Sequence, residues 1–482
     1  MNAAGWFGST SAPEFKEGLD WINTGGREIR LADLRGRVVL LDFWTYGCIN
    51  CRHVQPRLRA LEERFPDTLT VIGVHSGKFA HERITVNLAA ACDRQNVVHA
   101  VVNDRQYRIW RSFDVTAWPT VALVAPDGEL IGLQPGEFPL EPMAQAIESA
   151  IVEAEKHGKL VRGPEPTVRA QARVVGTLRF PGRVLVEGRR LVIADTGHGR
   201  VLDCTLERGA GTAGGGAGVG APVARVVAEH GGFLEPQGLA ALGDSLYVAD
   251  RAGQSVWRLG PGDARERVLG TGELADYSMS AGSGPDIDVR SPWGIAAHQG
   301  SLVIGMAGGH QLWRLDPTTS KTRPWAGTGG EELTDCTLER ALLAQPTGVA
   351  ALGSRVAFAD CESSAIRVAD EAVGVRTVVG KGLFVFGDKD GIAEEVQLQH
   401  AEDLTVHDGV LAVADTYNDR LKRIDPATRE SRTWTGEAGE AGALNEPAGV
   451  SSDGTTLVVA DTGNHRVVLV AEDGSLLEVR LA

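Results

Sequence analysis

The sequence predicts a multidomain chain, an N-terminal α/β unit followed by an all-β six-bladed propeller. Three observations carry this. Apolar strand-like runs alternate with segments of helical period up to about His157. The composition then changes at Gly163-Pro-Glu-Pro166, a segment of the kind found at domain boundaries. Beyond it, a strand ending in Ala-Asp returns at a near-constant interval, and internal repetition at such a period marks a repeat architecture. At 482 residues the chain is also too long for one ordinary core. The expected boundaries are 1–160 for the first unit, 161–170 for the linker and 171–482 for the repeats.

In the first unit, Leu31–Leu34 reads as a short helical turn and Val38–Phe43 as a buried strand. A helix is expected from about Cys48 to Arg64, with Leu58, Leu61 and Phe65 at helical spacing. Thr70–Val74 reads as a second strand, Ala80–Arg94 as a helix and Val97–Val102 as a third strand. A helical stretch over Tyr107–Phe113 leads to Trp118-Pro119-Thr120. Strand Val121–Ala125 turns at Asp127-Gly128 into Glu129–Leu133, and Glu141–His157 is an amphipathic helix. A strand-helix-strand start followed by a hairpin implies a mixed sheet with helices on its faces.

Chemistry concentrates at Cys48-Ile-Asn-Cys51, between the first strand and the helix after it. The free amides of a helix N-terminus carry partial positive charge and favour an anion. Cys48 is therefore the expected attacking thiolate, and Cys51, one turn on, the resolving thiol of a mixed disulfide. Two other readings exist for such a pair, small core residues or half of a zinc site. Zinc would need two further ligands, usually as a second close pair. His53 is near, but Cys92, Cys204, Cys336 and Cys361 are scattered. No metal is expected, and no cofactor beyond the dithiol. Thr45-x-x-Cys48 also resembles part of the peroxiredoxin motif, although Leu41 stands where that motif opens with proline. A peroxidase-type redoxin is a minority alternative.

Asp42-Phe43-Trp44 before the cysteines, the Cys48/Cys51 pair, Pro56 in the helix and Trp118-Pro119-Thr120 resemble the thioredoxin fold. The resemblance implies that Asp42 handles the proton of Cys51. It also implies that Pro119 is a cis-proline facing the dithiol, with Trp118, Thr120, Trp44 and Tyr46 meeting the substrate. Gly47 and Ile49-Asn50 depart from the thioredoxin pattern around the cysteines, which bears on redox potential and partner choice rather than on fold.

In the repeat region the landmarks are Asp195, Asp250, Met306, Asp360, Asp415 and Asp461, spaced 55, 56, 54, 55 and 46 residues. Each unit has room for four short strands, one propeller blade. Ala460-Asp-Thr-Gly-Asn-His-Arg466 resembles the NHL repeat. A residue recurring at every turn is read first as a fold requirement, and Asp suits a tight turn because it accepts nearby backbone N–H groups. Arg173–Thr177 is a candidate outer strand for ring closure, and Gly209–Gly220 a mobile insertion. Gly387-Asp-Lys-Asp-Gly391 is too short for an EF-hand loop and reads as a turn. His310, in the one blade lacking the aspartate, reads as a turn histidine.

The net charge of −15 disfavours nucleic-acid binding and docking on anionic membrane. No stretch approaches the ~20 apolar residues of a membrane span. Neither a secretory leader nor a disulfide framework is visible, so the expectation is cytoplasmic. The fused architecture, with Phe43-Trp-Thr-Tyr-x-Cys-Ile-Asn-Cys51, His75-Ser-Gly-Lys-Phe79 and Val101-Val-Asn-Asp104, resembles the NHL repeat-containing protein two family. The expected function is a thiol-disulfide oxidoreductase whose propeller holds a protein thiol or disulfide partner. One alternative is an interaction scaffold with a purely structural first unit. Another is metal-dependent hydrolase or lyase chemistry in the propeller channel.

Overall fold

The computed structural model describes residues 10–164, 176–207, 221–262, 264–435, 443–471 and 473–482. The chain divides into two compact units, Met1–Arg173 and Val174–Ala482. Most of the expected linker (165–170), residues 173–175 of the candidate closing strand and all of Gly209–Gly220 lie outside the described residues.

The first unit contains β1 (Thr10–Ser11), β2 (Asp20–Ile22), β3 (Val38–Trp44), β4 (Leu69–His75), β5 (Ala100–Asn103), β6 (Thr120–Val124) and β7 (Glu129–Pro135). Its helices are α1 (Ile49–Arg64), α2 (Thr85–Arg94), α3 (Arg108–Ser112) and α4 (Leu140–Lys156). One sheet runs in the order β1-β7-β6-β3-β4-β5-β2. β3, β4 and β5 are parallel and β6 is antiparallel to β3.

β3 is central, which is why it reads as an almost unbroken apolar run. Val39, Leu41 and Phe43 face Trp110 and Phe113 on one side of the sheet. Val38 and Leu40 face Val54, Leu58 and Leu61 of α1 and Ile147 of α4 on the other. The two-residue period places Asp42 in this second row, beneath α1. Burial of these two clusters holds the unit together, at roughly 25 cal/mol per Å2 of apolar surface.

Several details differ from the sequence reading. The helix expected over Ala80–Arg94 breaks at Ile84, whose backbone is extended (φ −80°, ψ 121°), leaving a one-turn 3-10 segment His81–Arg83 before α2. Val97 does not begin a strand, because its N–H caps α2 on the Cys92 carbonyl (2.9 Å). β1 and β2, of two and three residues, are too short to show an alternating pattern.

The second unit is a ring of six sheets, three of four strands and three with a two-residue fifth strand at the outer edge. The innermost strands are Arg183–Glu187, Pro236–Leu242, Pro292–His298, Pro346–Leu352, Asp403–His407 and Pro447–Ser452. Each landmark aspartate ends a second strand and accepts a backbone N–H just ahead of the innermost strand of its blade. Asp195 takes Arg179 (2.7 Å), Asp250 takes Glu235 (2.7 Å) and Asp360 takes Ala344 (2.7 Å). Asp415 takes Gln399 (2.8 Å) and Asp461 takes Asn445 (2.7 Å). The aspartates therefore lock strand entrances, as a fold requirement would.

A second series of bonds joins neighbouring blades. The left-handed residues Gln254, His310, Ser364, Asp419 and His465 use their side chains as acceptors. They receive the N–H of Ser291 (2.6 Å), Gln345 (3.1 Å), His400 (3.1 Å), Glu446 (2.7 Å) and Phe180 (3.0 Å) of the following blade. His310 is thus one member of a series. In Pro292-Trp293-Gly294, at the start of the third inner strand, only glycine fits: a Cβ on Gly294 would stand 1.9 Å from the Thr347 carbonyl oxygen of the next inner strand.

Ring closure joins the first and last blades by hydrogen bonds and by one short exchanged strand. His465 reaches Phe180, Thr462 Oγ1 donates to the Pro181 carbonyl (2.6 Å), and Val186 N donates to Ser451 Oγ (3.0 Å). Arg480–Leu481 then leaves the last blade and pairs in parallel with Val223–Ala224 on the outer edge of the first. The inner strands of the blades enclose a cavity of about 350 Å3. Among the described residues no helix is long and apolar enough to cross a membrane.

Candidate functional site

The register of the first unit gathers four connections at one end of its sheet. Trp44 pairs with His75, His75 with Asn103, and Phe43 with Thr120. The segments after β3, β4 and β5 and the one before β6 therefore emerge together, at the carboxyl ends of the parallel strands. Ligands of open α/β sheets bind in this position.

Cys48 is the N-cap of α1 and half-buried, while Cys51 is completely buried; both are free thiols. The Cys48 carbonyl already accepts the Arg52 N–H (3.2 Å), so the thiol of Cys48 stands at the first turn, whose amides have no partner within the helix. Burial pushes the Cys51 thiol well above its ordinary range. Its hydrogen bond to the Cys48 sulfur and the charges of Cys48 and Asp42 push it in the same direction. Asp42 is fully buried and accepts a hydrogen bond from Gln55 Nε2 (3.1 Å). Burial raises its carboxyl to about 7, against the opposing pull of His99 and Gln55. The arrangement is a half-exposed sulfur at a helix start, a protonated sulfur behind it, and a carboxyl titrating near neutrality close by.

The loop leading to Cys48 is held by a buried carboxylate. Glu82, fully buried, accepts Thr45 Oγ1 (2.7 Å), the Gly47 N–H (2.9 Å) and the Phe79 N–H (2.9 Å). Tyr46 donates or accepts at His81 Nδ1 (2.9 Å), and its carbonyl accepts Gln95 Nε2 (2.9 Å) and Arg52 Nε (3.2 Å). His75 lies between the Trp44 edge (5.2 Å, 80°) and the Tyr46 face (5.4 Å, 16°). Burial lowers the pKa of His75 to about 3, so it serves as a neutral plate.

Asp42 and Phe43 pair with Val121 and Thr120, so the Trp118-Pro119-Thr120 segment enters the sheet beside the strand that leads to the cysteines. The Trp118–Pro119 peptide is cis. Trp118 is half-buried and packs on Trp110 (4.7 Å). The Pro119 carbonyl accepts the Gly136 N–H (2.8 Å), and Thr120 Oγ1 donates to the Ala117 carbonyl (2.7 Å). Trp44 and Tyr46 correct the expectation of substrate contact. Both are fully buried and support the loop from beneath, because the alternation of β3 and the Glu82 cradle turn them inward. Glu82, Gln55 and His99 were missed; a Gln one turn after Cys51 was the one readable hint.

The other candidates have structural partners. Thr45, the peroxidase-like threonine, gives its hydroxyl to Glu82. His53 Nδ1 meets Glu137 Oε1 at 2.8 Å in a buried pair. In Gly387–Gly391, Asp388 and Asp390 bind the buried ammonium of Lys422 at 2.7 and 3.1 Å, a cation supplied by the chain itself. Among the described residues no group of three or more His, Cys, Asp or Glu side chains is arranged to hold a metal ion.

A family model described as thioredoxin-like matches residues 36–130. The chain is 34% identical over 510 residues to Protein SUPPRESSOR OF QUENCHING 1, chloroplastic, of Arabidopsis thaliana, across 98% of this chain and 48% of that protein. It thus spans about half the length of that plant relative. It is 32% identical to NHL repeat-containing protein 2 of Homo sapiens over 525 residues, across 98% of this chain and 72% of that protein. The Bos taurus protein of the same name is 32% identical over 520 residues, across 96% and 70% of the two chains. A thioredoxin-like unit joined to six NHL-type blades, alignable to these proteins nearly end to end, places the chain in the NHL repeat-containing protein 2 family.

Proposed function

We infer that the first unit is a thiol-disulfide oxidoreductase and that the propeller holds its protein partner. The observation that carries this is the relation of Cys48 to Cys51: a half-exposed sulfur at the α1 N-terminus, hydrogen-bonded to a buried thiol beside Asp42. Cys48 as thiolate attacks one sulfur of a substrate disulfide, and the other substrate sulfur leaves with the electron pair of the broken bond. Cys51 gives its proton to Asp42 and attacks the Cys48 sulfur, releasing the second substrate thiolate. Two electrons reach the substrate, whose two thiolates take their protons from solvent; the Cys51 proton is left on Asp42, and Cys48 and Cys51 become a disulfide that a cellular dithiol must reduce. A reducing, cytoplasmic setting suits this cycle, since Cys92, Cys204, Cys336 and Cys361 are scattered along the chain.

Disulfide reduction of a model protein substrate tests the reading. Cys48→Ser is expected to abolish it, and Cys51→Ser to accumulate a mixed disulfide through Cys48. One observation favours a scaffold instead: Cys51 is held firmly protonated by burial, as an inert core cysteine would be. Parent and Cys48→Ser proteins of equal, negligible activity would establish that second reading.

A further inference from the structure

Behind Asp42 lies a second layer of buried titratable groups. β3 and β4 pair Asp42 with Gly73. A Cβ on Gly73 would stand 2.9 Å from Trp44 Nε1 and 3.5 Å from His99 Nε2, so glycine lets both nitrogens approach this strand. Neither nitrogen, nor Asp42 Oδ1, has a hydrogen-bond partner among the described residues. A buried polar atom left unpaired is costly, which marks the cluster as more than packing. His99 is 2% exposed and precedes β5, with its carbonyl fixed by Asn23 Nδ2 (2.9 Å). Its Nδ1 lies 3.9 Å from Glu62 Oε2 on α1, itself buried. Arg59, almost one turn earlier on α1, also feels the charge of Glu62. Asp42 faces Cys51, Gln55 and His99. His99 is thus set between two carboxylates, Asp42 on the dithiol side and Glu62 on the far side.

We propose that His99, backed by Glu62, is a positioning residue for Asp42 that carries the Cys51 proton away from the dithiol. The proposal rests on the oxidoreductase reading. When Cys51 protonates Asp42, the carboxylate becomes a neutral acid. The proton then passes to His99 Nε2 through a water bridging the two unpartnered atoms, Asp42 Oδ1 and His99 Nε2, forming an imidazolium whose Nδ1–H faces the Glu62 carboxylate. Asp42 is again an anion, and Cys51 is a thiolate able to attack the Cys48 sulfur. The proton returns by the same path when the disulfide is reduced. Electrons move only through sulfur.

The test uses the full chain with His99→Gln, Glu62→Gln and His99→Lys. Difference infrared spectroscopy follows the Asp42 carboxyl band across pH, assigned with Asp42→Asn, and single-turnover kinetics follow resolution of the mixed disulfide. In His99→Gln, Asp42 is expected to stay protonated to higher pH. Resolution below neutral pH should slow about tenfold, the equivalent of one pKa unit. Glu62→Gln should move both in the same direction, and His99→Lys, which retains a cation, should restore the Asp42 titration. Asp42 titrations and pH-rate profiles superimposable on the parent overturn the proposal. The infrared titration needs no turnover, so a shifted Asp42 in a protein that reduces no disulfide overturns the oxidoreductase reading, and the relay with it, while the coupling of His99 to Asp42 remains.

Discussion

Asp42 links the dithiol chemistry to stability. Burial raises its carboxyl from 3.8 to about 7 in the folded protein, so between those values the folded state keeps a proton that the unfolded chain has released. Stability therefore falls as pH rises through this window, by about 4 kcal/mol in total, and levels off above the folded-state value. Asp42→Asn removes the penalty, and chemical denaturation at pH 4.5 and pH 8 should show the variant gaining on the parent only at the higher pH. Glu82 makes the opposite kind of contribution, as the acceptor for three donors in the loop before Cys48. Glu82→Ala strands those buried donors, and equilibrium unfolding should show a loss of roughly 2–4 kcal/mol. At this scale the sequence was readable where chemistry sits in one short window, as for Asp42, Cys48 and Cys51. Thr45 and Glu82 are 37 residues apart, and no local pattern announces such a pair. For Trp44 and Tyr46 the thioredoxin resemblance implies substrate contact, whereas the strand period and the loop cradle bury them.

Blades show what repetition does and does not reveal. The landmark aspartates were legible as fold residues because they recur, and each locks a backbone N–H at the start of its own blade. Asp461→Ala leaves the Asn445 N–H and the Arg466 guanidinium without a carboxylate that now sits at 2.7 and 2.6 Å. The expected loss is roughly 2–4 kcal/mol, read as a lowered denaturation midpoint with unchanged alkylation of Cys48. The side-chain links between blades were not legible, because their acceptors differ in type, Gln, His, Ser and Asp, although they share a left-handed backbone. The two-residue strands Gly282–Ser283 and Gly391–Ile392, which extend the outer edges of two blades, are too short for any alternation to register. In the first unit, the α1 register was readable from Leu58 and Leu61, whereas the break at Ile84 depends on one extended residue that the helical period overrides.

For the molecule as a whole, the two architectures could be assigned because their periods differ, about 3.6 residues in the first unit's helices and two in the blades. Closure of the ring could not, since it depends on contacts such as that of His465 with Phe180, 285 residues apart. His465→Ala removes the acceptor for the Phe180 N–H and a ring contact at 4.3 Å. It should lower the propeller's unfolding midpoint by the equivalent of about 1–3 kcal/mol without altering Cys48 reactivity. The central claim is that Cys48 and Cys51 form one reversible dithiol. Equilibration of the full chain with thiol-disulfide buffers of graded potential, followed by mapping of the bonded cysteines, tests it most directly. The account predicts a two-electron transition with Cys48 bonded to Cys51, at a potential within the range of roughly −270 to −120 mV spanned by known dithiol oxidoreductases. Cysteines that stay reduced across that range, or that pair elsewhere, would contradict it.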